Sequence, residues 1–557
     1  MEKKKVKLFS AIALVALALL VVGATYAYFQ NQYGSASNAD VKVTTYTTDV
    51  LTFETGDAIN ISADQDTFAQ GKGNRTGSTF ARATLQANNK TNTATAIYYM
   101  YLNIETNTFT YTNTDKPELI LQVVDKTSGN PVTSIAGLDY VTVTDGKNTS
   151  ISGFDITNKS GLITILNNKE ISASPKTIEE YTITITFINH NYDQNINAGK
   201  TFNSRVIIQK ERLITSISDV AKNGDNLVTA IQNLSTKSKP SYTGLYHHDA
   251  SLTNGAGDNS YRFAGANPNN YVCFGSDDTT CPVDNLYRII GVIDGKVKLI
   301  HAYGATTTML GTNEGYVKTY QEAASNNLEL FQSFYKGKED FAKIGTYKWN
   351  KTYDNTWRTS TTNTINLNTN YLTYLDSKNT KWKNMIADTT WYVGGMTSTN
   401  GALSNAKTAY DYELGANKDA TTTVTSKIGL MYVSEYYYAA IPDYWMLPGF
   451  DQNGHANEAG TPWIGKDYSK AYNDNWMSTG LNEWTLSRVS DVSNDAFVVG
   501  GFGIVIGGVV DGSGGRVVRP SFSLSSSIKF TSGEGTAVNP IRINLWLGDD
   551  ACLGRKG

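Results

Sequence analysis

Tyr181-Thr-Ile-Thr-Ile-Thr-Phe187 puts Tyr181, Ile183, Ile185 and Phe187 on one side of an extended chain and three threonines on the other. That period of two predicts a strand with one face in a core. Leu119, Leu121 and Val123 alternate in the same way, as do Tyr98, Met100, Leu102 and Ile104. Turn-forming stretches such as Thr127-Ser-Gly-Asn-Pro131 separate these runs. Several short half-buried strands joined by polar turns imply an antiparallel β-sandwich over residues 30–210.

Upstream of the sandwich, Lys3, Lys4, Lys5 and Lys7 precede an uncharged run from Leu8 to Val22, which closes on the small-residue stretch Gly23-Ala-Thr-Tyr-Ala27. A basic start, an apolar middle and a small-residue end are the parts of a secretory signal. Residues 1–29 therefore read as a signal peptide cut between Ala27 and Tyr28, or, if uncut, as a transmembrane signal helix that anchors the chain. Extended to Phe29 the apolar segment has about 22 residues, enough to span about 30 Å of hydrocarbon. Both readings place the rest of the protein on the extracellular face of the cell envelope, membrane-anchored or secreted.

Downstream, residues 211–241 carry a weak helical pattern (Leu213, Ile217, Val220, Leu227, Ile231) before Ser235-Thr-Lys-Ser-Lys-Pro240, which predicts a linker with a short helix. A second domain is expected over residues 242–545. Its firmest local signal is Tyr287-Arg-Ile-Ile-Gly-Val-Ile293, Asp294-Gly295 and Lys296-Val-Lys-Leu-Ile300, a hairpin with a two-residue turn. Leu372 with Leu375, and Trp382 with Met385 and Ile386, are spaced for short helices, so the domain is α+β. Residues 546–557 read as a flexible tail carrying Cys552 as a free thiol or an intermolecular bridge. The chain as a whole is thus multidomain.

Composition narrows the function classes. With 48 basic and 51 acidic residues and a net charge of -3, the chain has no basic field for a phosphate backbone, so no nucleic-acid partner is expected. The three cysteines match no zinc spacing, but Cys273 and Cys281 are close enough to close a short disulfide loop in an oxidising compartment. No HExxH, GxSxG or Walker sequence occurs, so no enzyme, cofactor or metal is expected. His190, among Asn189, Asn191 and Asp193, reads as a solvated loop residue. The turn Asn191-Tyr-Asp-Gln-Asn195 offers oxygen ligands to Ca²⁺ but lacks the spacing of a calcium loop. His247-His248-Asp249 reads as a polar entry loop, and Gly500, Gly501 and Gly503 as turn residues.

Two stretches resemble known families. Gly23-Ala-Thr-Tyr-Ala-Tyr-Phe29 resembles the signal end of the TasA/camelysin group of Gram-positive surface and matrix-fibre proteins. The resemblance implies cleavage near Ala27 and a jelly-roll-like sandwich that associates into filaments. Those proteins are essentially one domain, whereas this chain continues. Its second half carries Tyr261-Arg-Phe-Ala-Gly-Ala-Asn-Pro-Asn-Asn-Tyr271, Leu286-Tyr-Arg-Ile-Ile-Gly-Val292, Ile428-Gly-Leu-Met-Tyr432, Trp484-Thr-Leu-Ser487 and Arg519-Pro520. These are similar to a C-type-lectin-like or formylglycine-generating-enzyme-like domain of secreted Gram-positive gut bacterial proteins. The formylglycine-generating activity needs a reactive cysteine pair, and no cysteine lies between Cys281 and Cys552.

The expected function is therefore non-catalytic binding or adhesion to an extracellular glycan, or to a host or bacterial surface protein, through the second domain. The alternative is a self-assembling structural subunit of an extracellular fibre. Trp476 and Phe502, in aromatic and glycine-rich loops, are the candidate ligand contacts, while Trp484 is expected in the core. For the exported protein, N-terminal sequencing is expected to begin at Tyr28. An intact Met1-bearing chain in the membrane fraction would establish the anchor reading instead.

Overall fold

The computed structural model describes residues 49–63, 73–88, 92–113, 116–320, 343–402, 404–446, 475–501 and 503–545. The signal segment with Ala27 and Tyr28, Phe502, and the tail with Cys552 lie outside the described residues. Among the described residues no helix is long and apolar enough to cross a membrane. The chain is β-rich and divides into two compact units, Met1–Leu213 and Ile214–Gly557.

The first unit is a pair of antiparallel sheets facing one core, as the alternating strands imply. Its strands are β1 (Val50–Thr55), β2 (Ile59–Ser62), β3 (Arg75–Gln86), β4 (Ala94–Asn107), β5 (Leu119–Asp125), β6 (Tyr140–Thr144), β7 (Ser150–Asp155), β8 (Gly161–Ala173), β9 (Lys176–Phe187) and β10 (Thr201–Gln209). One sheet runs β1-β3-β9-β5-β7-β6 and the other β2-β10-β4-β8. Tyr181, Ile183, Ile185 and Phe187 of β9 share a core with Leu119, Leu121 and Val123 of β5 and with Tyr98, Met100, Leu102 and Ile104 of β4. In β5 and β9 the register pairs Leu119 with Phe187 and Val123 with Ile183, so their apolar residues fall on the same face. The outward side is less wet than the threonines suggest. Ile120, Val143 and Ile188 form a second small cluster, and Thr186 is buried.

His190 departs from its sequence reading as a solvated residue. It is 5% exposed, stacks on Tyr192, lies 2.9 Å through Nε2 from the Pro117 carbonyl, and donates its amide to Gln194 Oε1 at 2.8 Å. The cause is the buried carboxylate of Glu118, which receives the Thr112 amide and the Gln194 side chain and draws the whole turn inward. Among the described residues no group of three or more His, Cys, Asp and Glu is placed to hold a metal.

The second unit begins before the expected linker ends, which corrects that boundary. The helix Leu227–Lys237 is capped by Asn226, whose side chain accepts from the Thr229 amide at 3.2 Å and donates to the Ser526 carbonyl at 2.7 Å. Leu227, Ala230, Ile231 and Leu234 follow the i, i+3, i+4, i+7 spacing and enter the unit's main core. A segment with this much apolar surface committed is structure, not spacer. Around it are β11 (Leu245–His248), β12 (Ser260–Phe263), β13 (Tyr271–Cys273), β14 (Leu286–Ile293) and β15 (Lys296–His301). The sheet order is β11-β12-β14-β15 followed by Ser521–Ser523, with β13 also on β14. The β14–β15 turn has Asp294 at φ 49° and Gly295 at φ 67°, the two left-handed residues that match the strand twist.

A second, mixed sheet orders Tyr316–Thr319, Gly345–Tyr347, Arg516–Val517, Glu483–Arg488, Asp495–Val499 and Val505–Val509. Helices Leu372–Lys378 and Thr380–Asn384 form where the sequence spacing places them, with Leu375, Trp382, Met385 and Ile386 in the core. Trp349, Trp357, Trp391, Trp445, Trp476 and Trp484 all belong to the same core. Cys273 and Cys281 form a disulfide with Cα atoms 5.8 Å apart, closing the connection between β13 and β14.

Gly291 marks the tightest crossing in this unit. It sits at a register shift of β14 opposite Arg262, and a Cβ built there would stand 2.1 Å from the Tyr261 carbonyl oxygen. Replacement by alanine is therefore expected to push β12 off β14 and destabilise the protein by about 1–3 kcal/mol. Urea unfolding of Gly291→Ala checks this, and an unchanged midpoint would show that the strands are not in this register.

Candidate functional site

The second unit buries an unusual number of ionised groups, and a desolvated charge must find partners. They form three clusters. In the first, Arg262 donates through Nε to Ser260 Oγ at 2.8 Å and through Nη2 to Asp258 Oδ2 at 2.7 Å, and lies against the Tyr410 and Tyr438 rings. Burial pushes the Asp258 carboxyl up, but Arg262 and the Ser260 hydrogen bonds outweigh it and hold the group at about 2. Charge balances here.

The second cluster caps the N-terminus of the helix Val433–Tyr438. Glu435 receives the Tyr432 amide at 2.9 Å and pairs with Lys298 Nζ at 2.5 Å, and the ammonium also lies over the Trp391 and Tyr432 rings. Glu413 receives the amides of Val433 at 2.9 Å and Ser434 at 2.8 Å together with the Ser487 hydroxyl. Burial pushes Glu413 up to about 7, against the lowering effect of those hydrogen bonds.

The third cluster holds more cation than anion. Arg519 Nη1 donates to the Met477 carbonyl at 2.8 Å and to both Glu483 oxygens at 3.2 Å, and its Nε donates to the His301 carbonyl at 2.9 Å. Arg288 has no carboxylate partner among the described residues. Its Nε donates to Asn270 Oδ1 at 2.7 Å, its Nη1 to the Trp476 carbonyl at 3.2 Å, and its Nη2 to the Pro268 carbonyl at 3.0 Å and Asn267 Oδ1 at 3.4 Å. The guanidinium carbon lies 4.3 Å from the Tyr271 ring centre and 4.6 Å from that of Trp476. Burial and the nearby Arg519 lower its pKa against the raising effect of Tyr271.

The stretch Trp476-Met477 is thus pinned by two arginines through consecutive carbonyls. Three of the motif pieces resembling the lectin-like domain supply these cations: Arg262, Arg288 and Arg519. The remaining two meet in the second cluster, where Leu486 donates its amide to the Met431 carbonyl at 2.8 Å. Their common signal in the sequence is an arginine or a small polar residue inside an otherwise apolar run, a position that only a buried hydrogen-bond network explains.

The structure overturns Trp476 as a ligand contact. It is 5% exposed, its Nε1 donates to the Phe263 carbonyl at 2.7 Å, and its ring carries Arg288, so both the ring and its polar edge are occupied. Phe502 lies outside the described residues. Trp484 is in the core, with Nε1 donating to the Tyr347 carbonyl at 2.7 Å. Of the groups that touch Arg288, Asn267 is exposed and Tyr271 half-buried. No protein-family model matches the chain, and no curated protein matches it.

His247 and His248 separate despite being neighbours. His247 is partly exposed, stacked on Tyr261 and 3.4 Å from Asp249. His248 is fully buried against Tyr438 and Trp445, and its Nδ1 accepts the Ala256 amide at 3.0 Å, which puts the single ring proton on Nε2. Burial, aided by Arg262, pushes His248 down to about 3 from an ordinary 6.5. The imidazole is therefore neutral in the folded state, while the unfolded chain takes up its proton below pH 6.5. Stability from this group is complete above pH 6.5 and is lost as the pH falls toward 3, at about 1.4 kcal/mol per pH unit. Chemical unfolding between pH 7 and 4 is expected to show that slope and His248→Asn to flatten it. Equal slopes in the two proteins would show that His248 is not buried in the neutral form.

Proposed function

We propose that this is an exported, non-catalytic protein of a bacterial cell surface, in which a jelly-roll-like sandwich acts as spacer and a C-type-lectin-like second unit binds a glycan or a surface protein. The observation that carries the reading is the way Arg288 and Arg519 pin Trp476 and Met477, together with the loop from Gly265 to Asn270, onto the β14–β15 sheet. Buried charge invested in fixing loops against a rigid sheet is the arrangement that recognition surfaces use. The disulfide adds to it by closing the neighbouring connection, which matches an oxidising compartment outside the cytoplasm. Glu413, Glu435 and Glu483 all accept hydrogen bonds that hold backbone or neutralise a cation, roles that fit a scaffold.

One observation favours the fibre reading for the first unit. Among the described residues its two sheets end in β1, β6, β2 and β8, and β8 is 13 residues long, an edge on which another chain could pair. Glycan and surface-protein arrays probed with the full exported chain, and electron microscopy of the same sample, separate the two. Saturable binding by dispersed protein is expected. Filaments with no array signal would replace the binding reading by the structural one.

A further inference from the structure

Among the three buried clusters of the second unit, the first pairs Arg262 with Asp258, although Arg262 Nη1 lacks a partner, and the second pairs Lys298 with Glu435 beside a Glu413 held by two amides and the Ser487 hydroxyl. In the third, Arg519 pairs with Glu483, and Arg288 beside it has no carboxylate partner among the described residues. Two donors there are unused. Arg519 Nη2 and Ser478 Oγ are both buried and both lack a hydrogen-bond partner. Ser478 directly follows Met477, whose carbonyl Arg519 holds, and directly precedes Thr479, whose hydroxyl reaches Glu483 Oε1 at 3.3 Å. A buried guanidinium N–H left empty beside an excess positive charge is costly to the free protein, and an anion relieves both defects at once.

On the outer side, the longest of the bonds to Arg288 runs to Asn267 at 3.4 Å, and Asn267 is exposed. Turning that one side chain aside frees one N–H of Arg288 Nη2, the other staying on the Pro268 carbonyl, and half-buried Tyr271 lies against the same guanidinium, with half-buried Tyr303 close enough to feel its charge. We propose that the Arg288–Arg519–Ser478 cluster is an anion site that takes the carboxylate of an acidic sugar, the guanidinium edges and the Ser478 hydroxyl receiving the carboxylate while Tyr271 and Tyr303 flank the sugar ring. The excess of one positive charge matches one carboxylate on an otherwise neutral body. A polyanion would meet a chain of net charge -3 with no basic surface run to follow. Aromatic rings at the rim of a polar site are suited to the C–H faces of a sugar.

This inference rests on the second unit being a binding module, and it can fail while that reading stands. The test is titration calorimetry of the full exported chain, in low-chloride buffer, with glucuronate, glucose and acetate in separate runs. Glucuronate is expected to bind, glucose not to bind, and acetate to bind more weakly than glucuronate. Ser478→Ala removes a hydroxyl that bonds to nothing in the free protein, so its melting temperature is expected to hold while glucuronate affinity drops about ten-fold. Asn267→Ala, at the exposed rim, provides a second variant that leaves the core intact and is expected to change glucuronate affinity.

The proposal is overturned if glucuronate gives no heat, or if it binds equally well to both folded variants. Equal affinity for acetate and glucuronate would overturn the assignment to a sugar. An array signal from a neutral glycan or a protein, with no glucuronate binding, would remove the anion site and leave the binding module in place.

Discussion

A guanidinium cannot be taken out of water without replacing the hydrogen bonds that water gave it, and that requirement organises the second unit. Arg288 is buried with no carboxylate beside it, so its N–H groups must find carbonyl and amide oxygens. The oxygens come from Asn270 and Pro268 on one loop and from Trp476 on another, 188 residues away in sequence from Arg288. Two loops with little regular structure thereby acquire a fixed position. Tyr271 and Trp476 complete the enclosure from either face, which makes the buried cation tolerable and orients the rings. Removing Arg288 would take a donor from the buried Asn270 side chain and from the Trp476 carbonyl and loosen both loops together.

Arg519 extends the same logic to the second sheet. It joins the His301 carbonyl at the end of β15, the Met477 carbonyl in the connecting loop and Glu483 at the start of the strand Glu483–Arg488. One side chain thus ties both sheets of the unit to the same loop. His301 has Nδ1 2.6 Å from the Tyr303 carbonyl and Nε2 3.1 Å from the Asp284 carbonyl, and burial lowers its pKa, so the neutral ring donates to one of the two. The resulting frame leaves Asn267 exposed and Tyr271 half-buried against Arg288. That placement connects the packing problem to the proposed recognition of a carboxylate.

The first unit solves a simpler problem. Its core is made of alternating aliphatic and aromatic residues from two sheets, and most of its ion pairs, such as Arg82 with Glu54 and Glu180, are partly exposed and contribute little. Glu118 is one of two buried carboxylates among the described residues of the unit, with Asp145, and it gathers the Thr112 and Gln194 side of the sandwich. A spacer needs a stable sandwich and no more. On the function proposed above, a binding unit needs loops held in one geometry, and the contrast between an apolar core and an arginine-pinned core is consistent with that difference.

Features whose causes are local are legible in the residues alone. Tyr181 to Phe187 must expose one face to a core because side chains alternate along a strand. Asp294-Gly295 must turn because both residues accept a left-handed backbone, and Cys273 can reach Cys281 across a short loop. The helix at Leu227–Lys237 was legible as a pattern, but not as core, because its partners lie in other elements, Ser526 among them. Trp476 shows the same limit more sharply. Flanked by Asn475 and Met477, it reads as a loop aromatic free to meet a ligand, yet Phe263 and Arg288, distant in the chain, consume its ring and its N–H. His190 reads as a polar turn residue, and Glu118 makes it interior. Which polar residues are buried is decided by partners 73 to 213 positions away in these cases, and folding alone brings those partners together.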